Sequence, residues 1–142
     1  MNAVPPPASA SAVERPHVLI VTNDSDLHTF LAEGLLLAGF WTSTVADAIQ
    51  TLEVFRLRSF DLVIVDASLP GLGAVELVQR LRGRSSRTAT TVPRTSVPIV
   101  ILAGSPDEVD WDVAVQAGAS LLLTAPVELE TIALSLQTLL HQ

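Results

Sequence analysis

The chain contains no cysteine and no tyrosine, its aromatic content is 4%, and charged residues make up only 16% of it. Without cysteine there is no disulfide framework, no thiolate metal site and no thiol nucleophile. Basic residues are few: 8 against 15 acidic ones, a net charge of -7 over 142 residues. A field of that sign repels phosphate backbones and anionic lipid, so nucleic acid and membrane surfaces are not the expected partners. The three histidines, His17, His28 and His141, are too far apart in sequence to suggest a zinc site. Runs long enough to span a bilayer are missing, and the first sixteen residues, rich in Pro, Ala and Ser, carry neither a basic leader nor an apolar core. They read as a disordered tail (1–16) before one domain (17–142), with a cytoplasmic location expected.

What the chain does have is apolar material, 49% hydrophobic residues, in a regular order. Val18–Val21, Trp41–Val45, Leu62–Val65, Ile99–Leu102 and Leu121–Leu123 are short apolar or β-branched runs, and the first and third stop at Thr22-Asn23-Asp24 and at Asp66. Such runs read as strands buried on both faces. Between and after them, helical periodicity predicts helices from Asp24 or Ser25 to Gly39, over 47–57, 74–81 and 107–116, and over 129–140. Five strands alternating with five helices require right-handed crossovers, hence an α/β, doubly wound (βα)5 fold with a five-stranded parallel sheet of flavodoxin-like order. Ligands of such sheets sit at the carboxyl ends of the strands. The site is therefore expected around Thr22–Asp24, Asp66, Ala103-Gly104 and Thr124–Pro126.

The connection at 83–97 is longer than an ordinary αβ loop. Arg80, Arg82, Arg84, Arg87 and Arg94 concentrate positive charge there. It reads either as a solvated loop, dispensable for the fold, or as a docking element for an acidic partner or membrane phosphate.

Four segments in register, VLIVTNDSDL at 18–27, LVIVDASLPG at 62–71, PIVILAG at 98–104 and AGASLLLTAP at 117–126, resemble the receiver domains of two-component response regulators. That resemblance implies a phosphorelay role, with Asp66 equivalent to the aspartate that accepts a phosphoryl group from a histidine kinase. In the family that aspartate and an acidic pair hold Mg²⁺, because a carboxylate attacking a phosphoryl group brings anions together. A Lys, a Thr or Ser, and an aromatic switch residue complete the site. Here the acidic pair is replaced by Thr22 and Asn23, with Asp24 one residue late. Ala103 stands at the Thr/Ser position, Ala125 at the Lys position and Leu122 at the aromatic position. Only Asp66, Asn23 and the carbonyl of Ser68 remain to ligate Mg²⁺, so binding is expected to be weak or absent.

The resemblance thus points to an atypical, stand-alone receiver, no enzyme, acting through protein–protein contact without phosphorylation and needing no cofactor. The competing reading is a working phosphoacceptor at Asp66 that uses Mg²⁺. A small flavodoxin-like enzyme or cofactor carrier with a ligand pocket at Thr22, Ser68 and Gly104 is a third. Asp107, Glu108, Asp110, Trp111 and Asp112 crowd the start of the predicted fourth helix and form the candidate docking surface, unless Trp111 merely covers the core edge beside Val115. The expected partner is a signalling protein, a histidine kinase or a basic effector, bound by a monomer or weak homodimer.

Overall fold

In a computed structural model, residues 15–84 and 94–141 are described. Five parallel strands, β1 (His17–Val21), β2 (Trp41–Val45), β3 (Leu62–Asp66), β4 (Ile99–Ala103) and β5 (Leu121–Thr124), form one sheet in the order β2-β1-β3-β4-β5. Five helices alternate with them: α1 (Ser25–Leu37), α2 (Ala48–Leu57), α3 (Ala74–Leu81), α4 (Trp111–Ala117) and α5 (Leu129–Leu140). This is the doubly wound, flavodoxin-like architecture expected of the sequence. The chain leaves β1 toward β2 on one side and returns to β3 on the other, so the turns after β1 and β3 diverge and open a crevice between them.

The strands explain their own apolar runs. Leu19, Val21, Val63, Val65, Ile99 and Ile101 pack under α2, α3 and α4, while Val18, Ile20, Leu62, Ile64, Val100 and Leu102 pack under α1 and α5. Successive side chains point to opposite faces, and both faces are covered, so every position along β1, β3 and β4 except His17 is buried. Arg15 and Pro16, assigned to the tail by sequence, belong to this frame. The Pro16 carbonyl accepts from Trp41 N at 2.8 Å, and the Arg15 guanidinium lies 4.7 Å from the Trp41 ring centre. Residues 1–14 lie outside the described residues.

Two expectations are corrected. The fourth helix starts at Trp111 rather than Asp107. Asp110 is its N-cap, with a side-chain oxygen accepting from Asp112 N at 2.9 Å and Val113 N at 3.4 Å. Asp107 and Glu108 therefore stand in the β4–α4 loop, where Glu108 Oε1 accepts from Gly104 N at 2.7 Å. Acidic residues next to a helix start suit its dipole from outside the helix as well as from its first turn, and composition does not separate the two. Gly118, at φ +118°, ends α4 in the left-handed conformation.

The second correction concerns the arginine-rich connection, whose ends are fastened. Arg82 Nε donates to the Gly118 carbonyl at 3.0 Å and its Nη1 to the Thr95 carbonyl at 2.7 Å, while Arg84 Nη1 donates to the Gln116 carbonyl at 2.8 Å. These bonds tie the end of α3 to the approach to β4 and to the C-terminal end of α4, satisfying carbonyls that no helical N–H reaches. Arg84 is thus fastened to the end of α4. Arg87 and the rest of 85–93 lie outside the described residues.

Candidate functional site

The site grows from the last residues of β1 and β3. Thr22, 3% exposed, follows β1, and its amide donates to the Val45 carbonyl at 3.0 Å. That fixes its side chain beside β3, where Thr22 Oγ1 donates to Asp66 Oδ2 at 2.7 Å. The same hydroxyl oxygen accepts from Asp24 N at 3.0 Å, so Thr22 also shapes the turn into α1. On the other side, Ser68 approaches Asp66 Oδ1 twice, through its amide at 2.9 Å and its hydroxyl at 2.7 Å. The Asp66 carboxylate is 7% exposed and accepts three hydrogen bonds, all from neutral donors. Among the described residues the ion pairs are Arg56–Glu53 and Arg80–Glu76, both on helices away from this point.

Between α1, the end of β4 and the loops after β4 and β5 lies a cleft of about 390 Å³. Leu27 and Phe30 of α1, Leu102, Pro126 and Val127 give it apolar walls; Ala103, Gly104 and Ala125 contribute backbone or a single methyl; Asp24, Asp66, Ser68 and Glu108 are its polar lining. Ala103 is buried at the end of β4, and its carbonyl accepts from the exposed Ala125 at 2.7 Å. Leu122 sits on β5 and packs against the core layer beneath α2, α3 and α4.

The structure brings together Asp66, Ser68, Ala103 and Ala125, and sets Asn23 apart. Asn23 is exposed and lines a neighbouring groove of about 350 Å³ with Asp24, His28, Thr44 and Gln50, among others. Of the two residues at the acidic-pair positions, Thr22 bonds Asp66 and Asn23 lines the neighbouring groove instead. No group of three or more His, Asp or Glu side chains able to hold a metal ion occurs among the described residues. Ser68, expected to act through its carbonyl or in a ligand pocket with Thr22 and Gly104, bonds Asp66 through its amide and hydroxyl. A serine two residues after a strand-terminal aspartate was the available signal, since side chains of this kind close Asx-type turns.

The candidate docking residues divide in two. Asp107, Glu108 and Asp110 belong to the loop, while Trp111 and Asp112 open α4. Trp111 is 38% exposed and Val115, one turn on, 44%; the core contacts of α4 are made by Ala114 and Ala117 instead. Trp111 and Val115 thus form an exposed apolar ridge bordered by carboxylates.

The chain is thus a doubly wound α/β domain with a buried aspartate closing β3 where the strand order reverses. Residues 18–137 match the model of the response regulator receiver domain, and the chain belongs to that family, the receivers of two-component signalling. Transcriptional regulatory protein CseB of Streptomyces avermitilis is 30% identical over 115 residues, 81% of this chain and 45% of its own length. DNA-binding response regulator MtrA of Mycobacterium leprae is 31% identical over 112 residues, covering 79% of this chain and 45% of the regulator. The chain thus spans about half the length of these relatives. Among solved structures, a putative response regulator from Chloroflexus aurantiacus aligns with a TM-score of 0.78 at 24% identity, covering 91% of this chain and all (100%) of that one. Chemotaxis response regulator CheY4 of Vibrio cholerae gives 0.72 at 24%, covering 87% and 98%. Both likenesses bear on the fold.

Proposed function

We propose that this receiver acts as a constitutive protein-interaction module, and that Asp66 serves as an internal anchor rather than as a phosphoryl acceptor. The observation that carries this reading is the closed shell around Asp66: three hydrogen bonds from Thr22 and Ser68, and no cation beside it among the described residues. A carboxylate oxygen attacking a phosphoryl group must be free to approach it, and the product gathers negative charge that needs a counter-charge. Ala103 and Ala125 offer none. All eight basic residues of the chain are arginines. The described ones precede strands or lie at the ends of α2 and α3, at the opposite end of the strands from Asp66.

The Mg²⁺ that the family implies does not fit this donor set. A small hard cation asks for near-octahedral oxygen coordination, usually including carboxylates. At Asp66 both oxygens already accept hydrogen bonds, and Thr22 occupies the place of a second carboxylate. The ridge of Trp111 and Val115, rimmed by Asp107, Asp110 and Asp112, is the surface we assign to the partner, a signalling protein presenting basic and apolar groups. Among the described residues no helix is long and apolar enough to cross a membrane, and the location proposed is the cytoplasm.

The test is a capture experiment with three chains compared against the partner that the unaltered chain retains. Trp111→Ala should weaken capture by about 2 kcal/mol or more, roughly thirtyfold, as expected for a central aromatic anchor. Asp66→Ala should leave it within about twofold of the unaltered chain. Loss of the partner in Asp66→Ala with retention in Trp111→Ala would overturn the reading.

A further inference from the structure

We propose that the cleft beside Asp66 binds a small organic cation, a primary ammonium carried on an aryl or alkyl body. Its volume of about 390 Å³ lies within the range of roughly 300–1,000 Å³ common to small-molecule sites. The space exists because Ala103, Gly104 and Ala125 stop at or before Cβ where three elements converge. Even at Gly104 an added Cβ would meet nothing closer than Glu108 Oε1, at 3.4 Å.

Two features choose the ligand. The walls formed by Leu27, Phe30, Leu102, Pro126 and Val127 reward burial of an apolar body and cannot replace the hydration shell of a metal ion. The charged lining is of one sign, Asp24, Asp66 and Glu108, with no basic side chain among the residues of the cleft. The wider field agrees. Every turn leading from a strand to a helix at this end carries or adjoins an acidic side chain (Asp24, Asp47, Asp66, Glu108, Glu128), and none carries an arginine. Low-dielectric walls focus such a field into the cleft, which disfavours anions and favours a cation.

Two of these carboxylates have a structural bond and capacity to spare. Asp24 caps α1 through Oδ1 and Glu108 holds Gly104 N through Oε1, which leaves the second oxygen of each for the ligand, while Asp66 adds its charge to the field. An ammonium, with three donors, can use remaining acceptor positions without breaking those bonds. The inference rests on the reading above in one respect: Asp66 must not carry a phosphoryl group.

The test is amide NMR on the full chain titrated with phenethylammonium, phenethyl alcohol and Mg²⁺. Saturable shifts should appear at Leu27, Gly104 and Val127 with phenethylammonium at millimolar concentration, and the alcohol should bind about tenfold more weakly or worse. Glu108→Gln keeps an acceptor for Gly104 N and should weaken the cation severalfold. Ala125→Lys, at an exposed position that does not threaten the fold, should abolish binding by placing a cation in the cleft. No saturable shift with the ammonium, equal affinity for the alcohol, unchanged binding in Ala125→Lys, or displacement by equimolar Mg²⁺ would each overturn the inference. Phosphodonor labelling of the same samples separates the two readings: silence toward the ammonium without labelling leaves the interaction module standing, whereas labelling at Asp66 removes that reading by itself.

Discussion

The hydroxyl of Thr22 donates to Oδ2 of Asp66 at 2.7 Å, joining the residue after β1 to the last residue of β3 across the point where the strand order reverses. The bond spans 44 residues of sequence and holds a buried carboxylate without a counter-ion among the described residues. A carboxylate so placed is stabilised by fixed dipoles, and removing one of them exposes the cost of its burial.

Thr22→Val keeps the shape and removes the donor. It should lower stability by about 1.5–3 kcal/mol, the range for a hydrogen bond to a charged group. In an Asp66→Ala background the same substitution should cost less than about 1 kcal/mol, because contacting partners couple. Urea unfolding of the four chains of this cycle measures both numbers; equal costs in the two backgrounds would show that the bond does not matter.

Arg82 ties three elements through two backbone carbonyls, and burial holds its guanidinium below its ordinary value, with Arg84 adding to the effect. Arg82→Met preserves much of the stem and loses both bonds. The expected destabilisation is about 1.5–3 kcal/mol. Shortening the stretch 85–93 should cost less than about 1 kcal/mol, since loop entropy changes slowly with length. Chemical denaturation of the two variants side by side tests the contrast.

His17 gives a pH signature. Burial first, then the Arg58 guanidinium, hold its imidazole below the ordinary value of 6.5, with Asp61 opposing them. The neutral ring bonds Ser43 Oγ at 2.7 Å and stands edge-on to Phe60 at 5.0 Å. A histidine depressed in the folded state binds its proton more readily when unfolded, so its contribution is complete above pH 6.5 and is lost as pH falls toward the lowered folded value. Melting temperature should decline over that window in the unaltered chain and decline less in His17→Asn. An identical slope in both chains would contradict the assignment.

Much of this was legible in sequence, and the failures have physical causes. The runs at Val18–Val21 and Leu62–Val65 announced buried parallel strands, because only a strand covered on both faces is apolar at every position. The site's location followed, since the fold places function at the strand ends whatever residues occupy them. The boundary of α4 did not follow, because Asp107 and Asp110 are both plausible caps and only the three-dimensional loop selects Asp110. Arg82 and Arg84 looked like free surface charge, yet their partners are the carbonyls of Thr95, Gly118 and Gln116, which carry no side-chain signal. The cleft was hidden for a similar reason: Phe30 falls on the helical apolar repeat of α1, yet it lines an opening while 44% exposed.

The central claim, that Asp66 anchors the fold instead of accepting phosphate, is tested most directly by intact-mass and peptide analysis after incubation with acetyl phosphate and Mg²⁺. The unaltered chain should remain unmodified at Asp66, with no rise in melting temperature on adding Mg²⁺. Restoring Thr22→Asp, Asn23→Asp, Ala103→Thr and Ala125→Lys together should recover labelling, whereas each change alone should do little, because each missing contact is worth on the order of 2–4 kcal/mol in the transition state. Stoichiometric, Mg²⁺-dependent phosphorylation of Asp66 in the unaltered chain would contradict the account.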